Sequence, residues 1–323
     1  IAYIVGPSDT VRPLTFAYFT IRIWSAPAAL ANLALLGWFF GVQNTRAALI
    51  TQIYMNGINV ILDIWFVLDL GWGVEGVAWA TLISEYTAVV LGLLLASALL
   101  RKLGGRANPQ ALFMAEPFKR MLNVNRDLFL RSMCLQAVFV ILTAVGARMG
   151  DTILAANAIL LNLHVLAAYA LDGFSIAVGA LCGEAKGARI KSHFIAAIKV
   201  SIIWSLIFAI ASCALIAFFG PKVIDALTTT LSVRETARTY LIWSIILPMV
   251  SVWSFQLDGI YFGCTWSKEM RNSMALSLIV YLLSLAILVP AFANHGLWAA
   301  FTLLMAARGI TMGWMLPRLQ REI

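Results

Sequence analysis

Gln52, Asn56, Asn59 and Asp63 recur at steps of four, three and four residues, which places three amides and a carboxylate on one face of a helix turning ~100° per residue. The stretch around them is apolar, and an ionised carboxylate at a bilayer centre costs about 2.5–3.5 kcal/mol, so such a row must face protein or water rather than hydrocarbon. The chemistry open to it is reversible capture of a proton or a small cation. Burial penalises the ionised acid, a cation or a donor beside it restores that form, and binding or release would then bias one conformation over another. Thr81 lies six residues into the next apolar stretch and Asp63 six residues from the end of its own, so adjacent helices bring them to one level. A fixed polar contact between packed helices accounts for the same residues without any chemistry.

Two further acids lie in apolar surroundings. Asp172 shares a helical face with His164 and Asn157, at steps of eight and seven, and Asp258 shares one with Ser254 and Ser251, at four and three. Lining a cavity that attracts cationic compounds and bonding to a neighbouring helix are equally open to both. His164 alone reads more readily as a packing histidine than as a proton carrier. Arg22 lies at a depth from which it reaches Glu85 or Asp63, and a self-neutralising structural pair is the simpler expectation. The four cysteines (Cys134, Cys182, Cys213 and Cys264) show no CxxC or His-paired spacing and read as small buried apolar residues, so no metal site is expected. No HExxH, GxSxG, P-loop or Gly-rich nucleotide pattern occurs, so neither a membrane enzyme nor ATP drive is expected.

The elements that must carry these groups follow from composition. Of 323 residues 62% are hydrophobic and 12% charged, with a mean hydropathy of +0.89, where a soluble domain carries about 25% charged residues. The apolar residues form blocks long enough to cross a ~30 Å hydrocarbon layer. The expected spans are 14–40, 47–69, 75–100, 127–147, 152–181, 196–219, 236–264, 271–292 and 297–316: an all-α polytopic membrane protein of about nine transmembrane helices. The net charge of +8 is set by topology and forms no basic-aromatic patch, so nucleic acid is not an expected partner. With the 101–125 linker in the cytoplasm, fourteen of the 23 basic residues fall on that side and five (Arg12, Arg148, Lys222, Arg234, Arg238) on the other. The positive-inside rule then places the start of the chain outside and its end in the cytoplasm.

The chain also resembles itself. At an offset near 222 residues Tyr18 falls on Tyr240, Gly37 on Gly259, Gly41 on Gly263 and Arg46 on Lys268, with Pro27 and Pro248 one position out of register. Three helices over 14–100 are repeated over 236–316 in the same orientation, as parallel repeats. The helices between them have no upstream counterpart, so roughly 100 residues carrying three helices are expected to precede Ile1, by this repeat argument. The expected organisation is the second half of an N-lobe over 1–100, a cytoplasmic linker over 101–125, and a complete six-helix C-lobe with a short tail over 126–323.

Ile21-Arg22-x-Trp24-Ser25-Ala26-Pro27-Ala28-Ala29-Leu30-x-Asn32, Leu36-Gly37-Trp38-Phe39-x-Gly41-x-Gln43, Asn56-x-x-Asn59-x-x-Leu62-Asp63, Gly73-Val74-x-Gly76-Val77-Ala78-x-Ala80-Thr81, Tyr169-Ala170-Leu171-Asp172-Gly173-Phe174 and Glu269-Met270-Arg271-Asn272-Ser273 together resemble the DNA-damage-inducible, DinF-type branch of the multidrug and toxic compound extrusion (MATE) transporters. The resemblance covers essentially the whole chain and implies two six-helix lobes around a central cavity, with the first three helices lacking here. It implies a secondary active exporter of the bacterial inner membrane, coupled to H+ or Na+ with no other cofactor, acting as a monomer on amphipathic and cationic organic compounds among membrane lipid. It implies a coupling site at Asn59, Asp63 and Thr81; the family's partner carboxylate on the first helix has no position here. Asn56, Gln52, Asn32, Asp172, Asp258 and His164 become cavity candidates, and Pro27 and Pro248 hinge candidates. A related lipid-linked-precursor flippase, which calls for a more basic cavity, and an inactive scaffold are the alternative readings.

Overall fold

Unpaired backbone amides are not tolerated in hydrocarbon, so apolar blocks of this length must fold as helices. The structure, a computed structural model, describes residues 11–104 and 115–323, and only the backbone of Val11 and Arg12. The opening residues with Gly6, Pro7 and Asp9, and the linker core with Gly105 and Pro109, lie outside the described residues. Among the described residues every element is helical and none is a strand. In chain order they are α1 (Val11–Arg22), a 3-10 turn (Ile23–Ser25), α2 (Ala26–Gly41), α3 (Thr45–Asp63), a π-helical turn (Ile64–Asp69), α4 (Gly73–Leu103), α5 (Ala115–Arg148), α6 (Asp151–Gly187), α7 (Lys191–Leu227), α8 (Leu231–Gly263) and α9 (Ser267–Arg321). The chain divides into two compact units, residues 1–109 and 110–323.

Eight described segments are long and apolar enough to cross a bilayer, where the sequence suggests nine. The difference lies in α9, a 55-residue run that contains both the 271–292 and the 297–316 stretches. It is not one rod: Ala293 is non-helical (φ 48°, ψ −124°), Ser273 and Thr311 share a hydroxyl hydrogen bond, and Gly296 lies against the Leu288 carbonyl. Both pairings centre on residue 292, so α9 doubles back there. Gly296 is required by that approach, since a Cβ would collide with the Leu288 backbone.

The reversal is pinned from α6. Asn157 donates through Nδ2 to Asn294 Oδ1 at 2.8 Å, and Asn294 Nδ2 returns the bond at 2.9 Å. Trp298 Nε1 donates to the same Asn157 Oδ1 at 2.8 Å, and all three side chains are buried. Asn157→Ala is expected to destabilise the protein by about 3 kcal/mol, because it leaves an amide and an indole N–H unmatched in an apolar core. Thermal unfolding in detergent, followed by circular dichroism, checks this; a midpoint equal to that of the unsubstituted protein would dismiss the node as a stabilising element.

Within unit 1, α4 buries Gly76, Ala78, Ala80, Ser84, Ala88, Gly92 and Ala96, small residues that let α1, α2 and α3 approach its backbone. In unit 2 the tightest crossing is α6 on α8. Gly259 lies against the Ser175 carbonyl and Gly263 against that of Gly179, each closer than any Cβ would permit. The large buried side chains of unit 2 include Trp298, Phe301 and Tyr281 in one apolar cluster and Tyr261 in another.

The repeat is visible in the backbone. After α2, the N–H groups of Val42, Gln43 and Asn44 donate to the carbonyls of Trp38, Phe40 and Phe39 at 3.0, 3.0 and 2.8 Å. After α8, those of Cys264, Thr265 and Trp266 donate to Ile260, Phe262 and Tyr261 at 3.0, 3.0 and 2.9 Å, residue for residue 222 positions on. Gln43 and Thr265 both take the left-handed conformation, with φ of 57° and 58°. Unlike Gly259 and Gly263, their repeat counterparts Gly37 and Gly41 have nothing within 4 Å of an added Cβ.

Candidate functional site

Asp63 is the last residue of α3, where the helix widens into the π-helical turn. Such insertions recur at functional positions because they re-aim a side chain and free backbone groups. Asp63 is half-buried, and its Oδ1 is buried without a hydrogen-bond partner among the described residues. One turn earlier, Asn59 Nδ2 donates to Thr81 Oγ1 at 3.3 Å, while the Thr81 hydroxyl donates to the Val77 carbonyl at 2.9 Å. The structure thus brings Asn59 and Thr81 together, with the Asp63 carboxylate next on the same face. Gln52 is half-buried and Asn56 exposed, farther down that face. An unpartnered carboxylate beside an amide and a hydroxyl is a ligand set for a proton or a small cation.

Asn32 lies among packed helices. It is buried, donating to the Glu85 backbone carbonyl at 2.9 Å and touching Met55 Sδ at 3.9 Å, so it ties α2 to α3 and α4. Arg22 pairs with Glu85 Oε1 at 3.0 Å and donates to Ser25 Oγ at 2.6 Å, and it makes no pair with Asp63. Tyr86 OH donates to the Trp24 carbonyl at 3.0 Å. These contacts clamp the 3-10 turn onto α4. Pro27 follows that turn in the first positions of α2, where its missing N–H leaves no bond unmade. Pro248, by contrast, is buried inside the continuous α8.

In unit 2, Asp258 accepts hydrogen bonds on Oδ2 from Arg131 of α5 and from Arg308 of α9. Arg308 was not among the residues singled out by spacing, although a lone arginine within an apolar run was the signal available. Asp172 is exposed, carries no hydrogen bond, and lies within electrostatic range of Asp258, Arg131 and Arg308. His164 is buried against the Phe301 ring at 5.6 Å with its Nδ1 unpartnered. The face shared by Asn157, His164 and Asp172 therefore runs from core to surface: the first pins the α9 reversal, the second packs, and the third is open. All four cysteines are free thiols, and no cluster of three or more His, Cys, Asp or Glu suited to a metal occurs among the described residues.

Comparison with known proteins agrees with this frame. Residues 128–290 match the MatE family. DNA damage-inducible protein F of Escherichia coli is 41% identical over 310 residues, covering 96% of this chain and 67% of that protein. Protein DETOXIFICATION 44, chloroplastic, and Protein DETOXIFICATION 42 of Arabidopsis thaliana are 27% and 26% identical across 93% and 95% of the chain, which spans 56% and 58% of their lengths. Among solved structures, an outward-facing multidrug resistance MATE family transporter superposes with a TM-score of 0.86 at 20% identity, covering 98% of this chain and 72% of that one. The bent form of the Vibrio cholerae MATE transporter VcmN gives 0.85 at 16% identity, covering 99% and 73%. At such identities the superpositions show the fold, and the sequence relatives show the kinship. The chain belongs to the MatE family, whose members are membrane transporters and not enzymes.

Proposed function

We propose that the protein is a secondary active exporter of the bacterial inner membrane, exchanging H+ or Na+ for amphipathic and cationic organic compounds by alternating access. The observation that carries this reading is the Asp63 carboxylate, buried in part and unpartnered beside the Asn59–Thr81 pair. A group that can be ionised or neutral at that depth has a different free energy in each form, and this difference is what a coupling ion needs in order to favour one facing state. The exposed, unbonded Asp172 supplies an attraction for cationic compounds in unit 2. The reversal at Ala293 supports a ninth crossing, with the two halves of α9 as separate passes. The start of the chain then lies outside and its end in the cytoplasm, as the distribution of basic residues favours.

The test is efflux of a cationic dye from proteoliposomes holding the complete protein, with an imposed proton or sodium gradient. Asp63→Asn is expected to lower gradient-driven efflux by about tenfold or more while leaving the thermal midpoint where it was. Transport that proceeds unchanged in Asp63→Asn removes this residue from the coupling, and transport indifferent to both gradients removes the antiport itself.

A further inference from the structure

Arg131 and Arg308 offer ten N–H donors between them, yet their hydrogen bonds among the described residues end on one carboxylate oxygen, Asp258 Oδ2, and on Met305 Sδ at 3.4 Å. Two cations thus share one bonded anion inside a membrane-spanning bundle. A latch between helices is complete with one arginine, and each additional intramembrane charge is costly. Nor is the cluster sealed. The Arg308 side chain is 4% exposed, but Asp258 is 12% and Arg131 18% exposed, and Asp172 beside them is open. The surplus is one of donors and of bonded positive charge, at a cluster that is not fully enclosed.

We propose that Arg131 and Arg308 form the receptor for an oxyanion of the transported compound, a carboxylate, sulfonate or phosphate, with Asp258 holding the pair in place as a resident carboxylate. Guanidinium groups recognise such anions through paired N–H bonds at fixed geometry, and the donors left over on both arginines suit that geometry. Asp172 is the counterweight: as a carboxylate it offsets the surplus charge and repels an incoming anion, and when neutral it releases the pair to bind. Unit 2 on this view takes the acidic end of an amphipathic molecule. The proposal deepens the exporter reading and rests on it for the identity of the ligand as cargo, while the binding itself needs no gradient.

The test uses the complete protein in phosphatidylcholine nanodiscs and two fluorescent probes of one shape, anthracene carboxylate and anthracene methanol, titrated by anisotropy. The carboxylate is expected to bind about tenfold more tightly than the alcohol. Arg131→Gln should reduce that preference to about twofold or less, and Asp172→Asn should raise it about threefold or more, a gain that a purely structural ion cluster does not produce. Equal affinities for the two probes, or a preference that survives Arg131→Gln, would overturn the proposal. Should Arg131→Gln fail to fold, Asp172→Asn decides alone, and no gain in it sinks the idea. Repeating the titration with phosphatidylglycerol in the disc identifies the source of the oxyanion: competition assigns it to a lipid headgroup, its absence to a soluble compound, and the arginine pair stands in both cases. Anion preference without gradient-driven efflux would sink the exporter reading and leave this site intact.

Discussion

Gly259→Leu is expected to unfold unit 2 at temperatures where the unsubstituted protein is fully folded. At this position even a methyl group would lie within bonding range of the Ser175 carbonyl, and the obstacle is backbone, which has no rotamer to escape into. One turn on, Gly263 meets the Gly179 carbonyl in the same way, so α8 cannot tilt off α6 at one point without opening the other. Overpacking a core costs about 1–3 kcal/mol when side chains can shift. Here the two helices must part, so a loss of about 4 kcal/mol or more is expected. The control lies in the repeat: Gly37→Ala and Gly41→Ala introduce a Cβ with nothing near it, and should leave the thermal midpoint level or raise it slightly, since alanine is the better helix former. Thermal unfolding of the three variants side by side checks the argument, and equal losses at 37 and 259 would refute it.

Asp258→Ala is expected to be nearly as damaging, for an electrostatic reason. It leaves Arg308, almost wholly enclosed, and Arg131 facing each other with no anion bonded to either. Removing one partner of a buried ion pair costs about 3–5 kcal/mol, because the remaining charge stays desolvated. The same principle predicts rescue. Replacing all three residues by leucine or methionine, so that no charge of the bonded cluster remains, should recover most of the loss in thermal stability while abolishing any anion preference. A triple variant no more stable than Asp258→Ala would show that packing, and not charge, governs the site.

The helices were legible because apolar blocks are a bulk property, read without knowing what packs on what. The depth argument that set Asp63 level with Thr81 also needed only span boundaries, and the contact it led to is Asn59 to Thr81. Asp258 illustrates the limit. Its arginines come from positions 50 and 127 residues away on two other helices, and no periodicity along α8 points to them. The shared face of Asn157, His164 and Asp172 was correct as geometry of one helix but silent about what each turn would meet. Asn32, a cavity candidate by resemblance, donates to a backbone carbonyl on α4 that nothing along its own helix announces. In α9 the two apolar windows were visible, but the reversal turns on one residue, Ala293, whose type gives no hint of its conformation.

The turns after α2 and α8 have a further consequence. Both place a side-chain-bearing residue, Gln43 or Thr265, in a backbone region that disfavours it by roughly 1–2 kcal/mol, and Arg189 after α6 does the same at φ 57°. The hydrogen bonds that close each helix hold these residues there against their own preference, as a compressed spring is held by its catch. These three springs, with Ala293 in α9 as a fourth at φ 48°, mark where the described residues carry stored tension and where a glycine would release it.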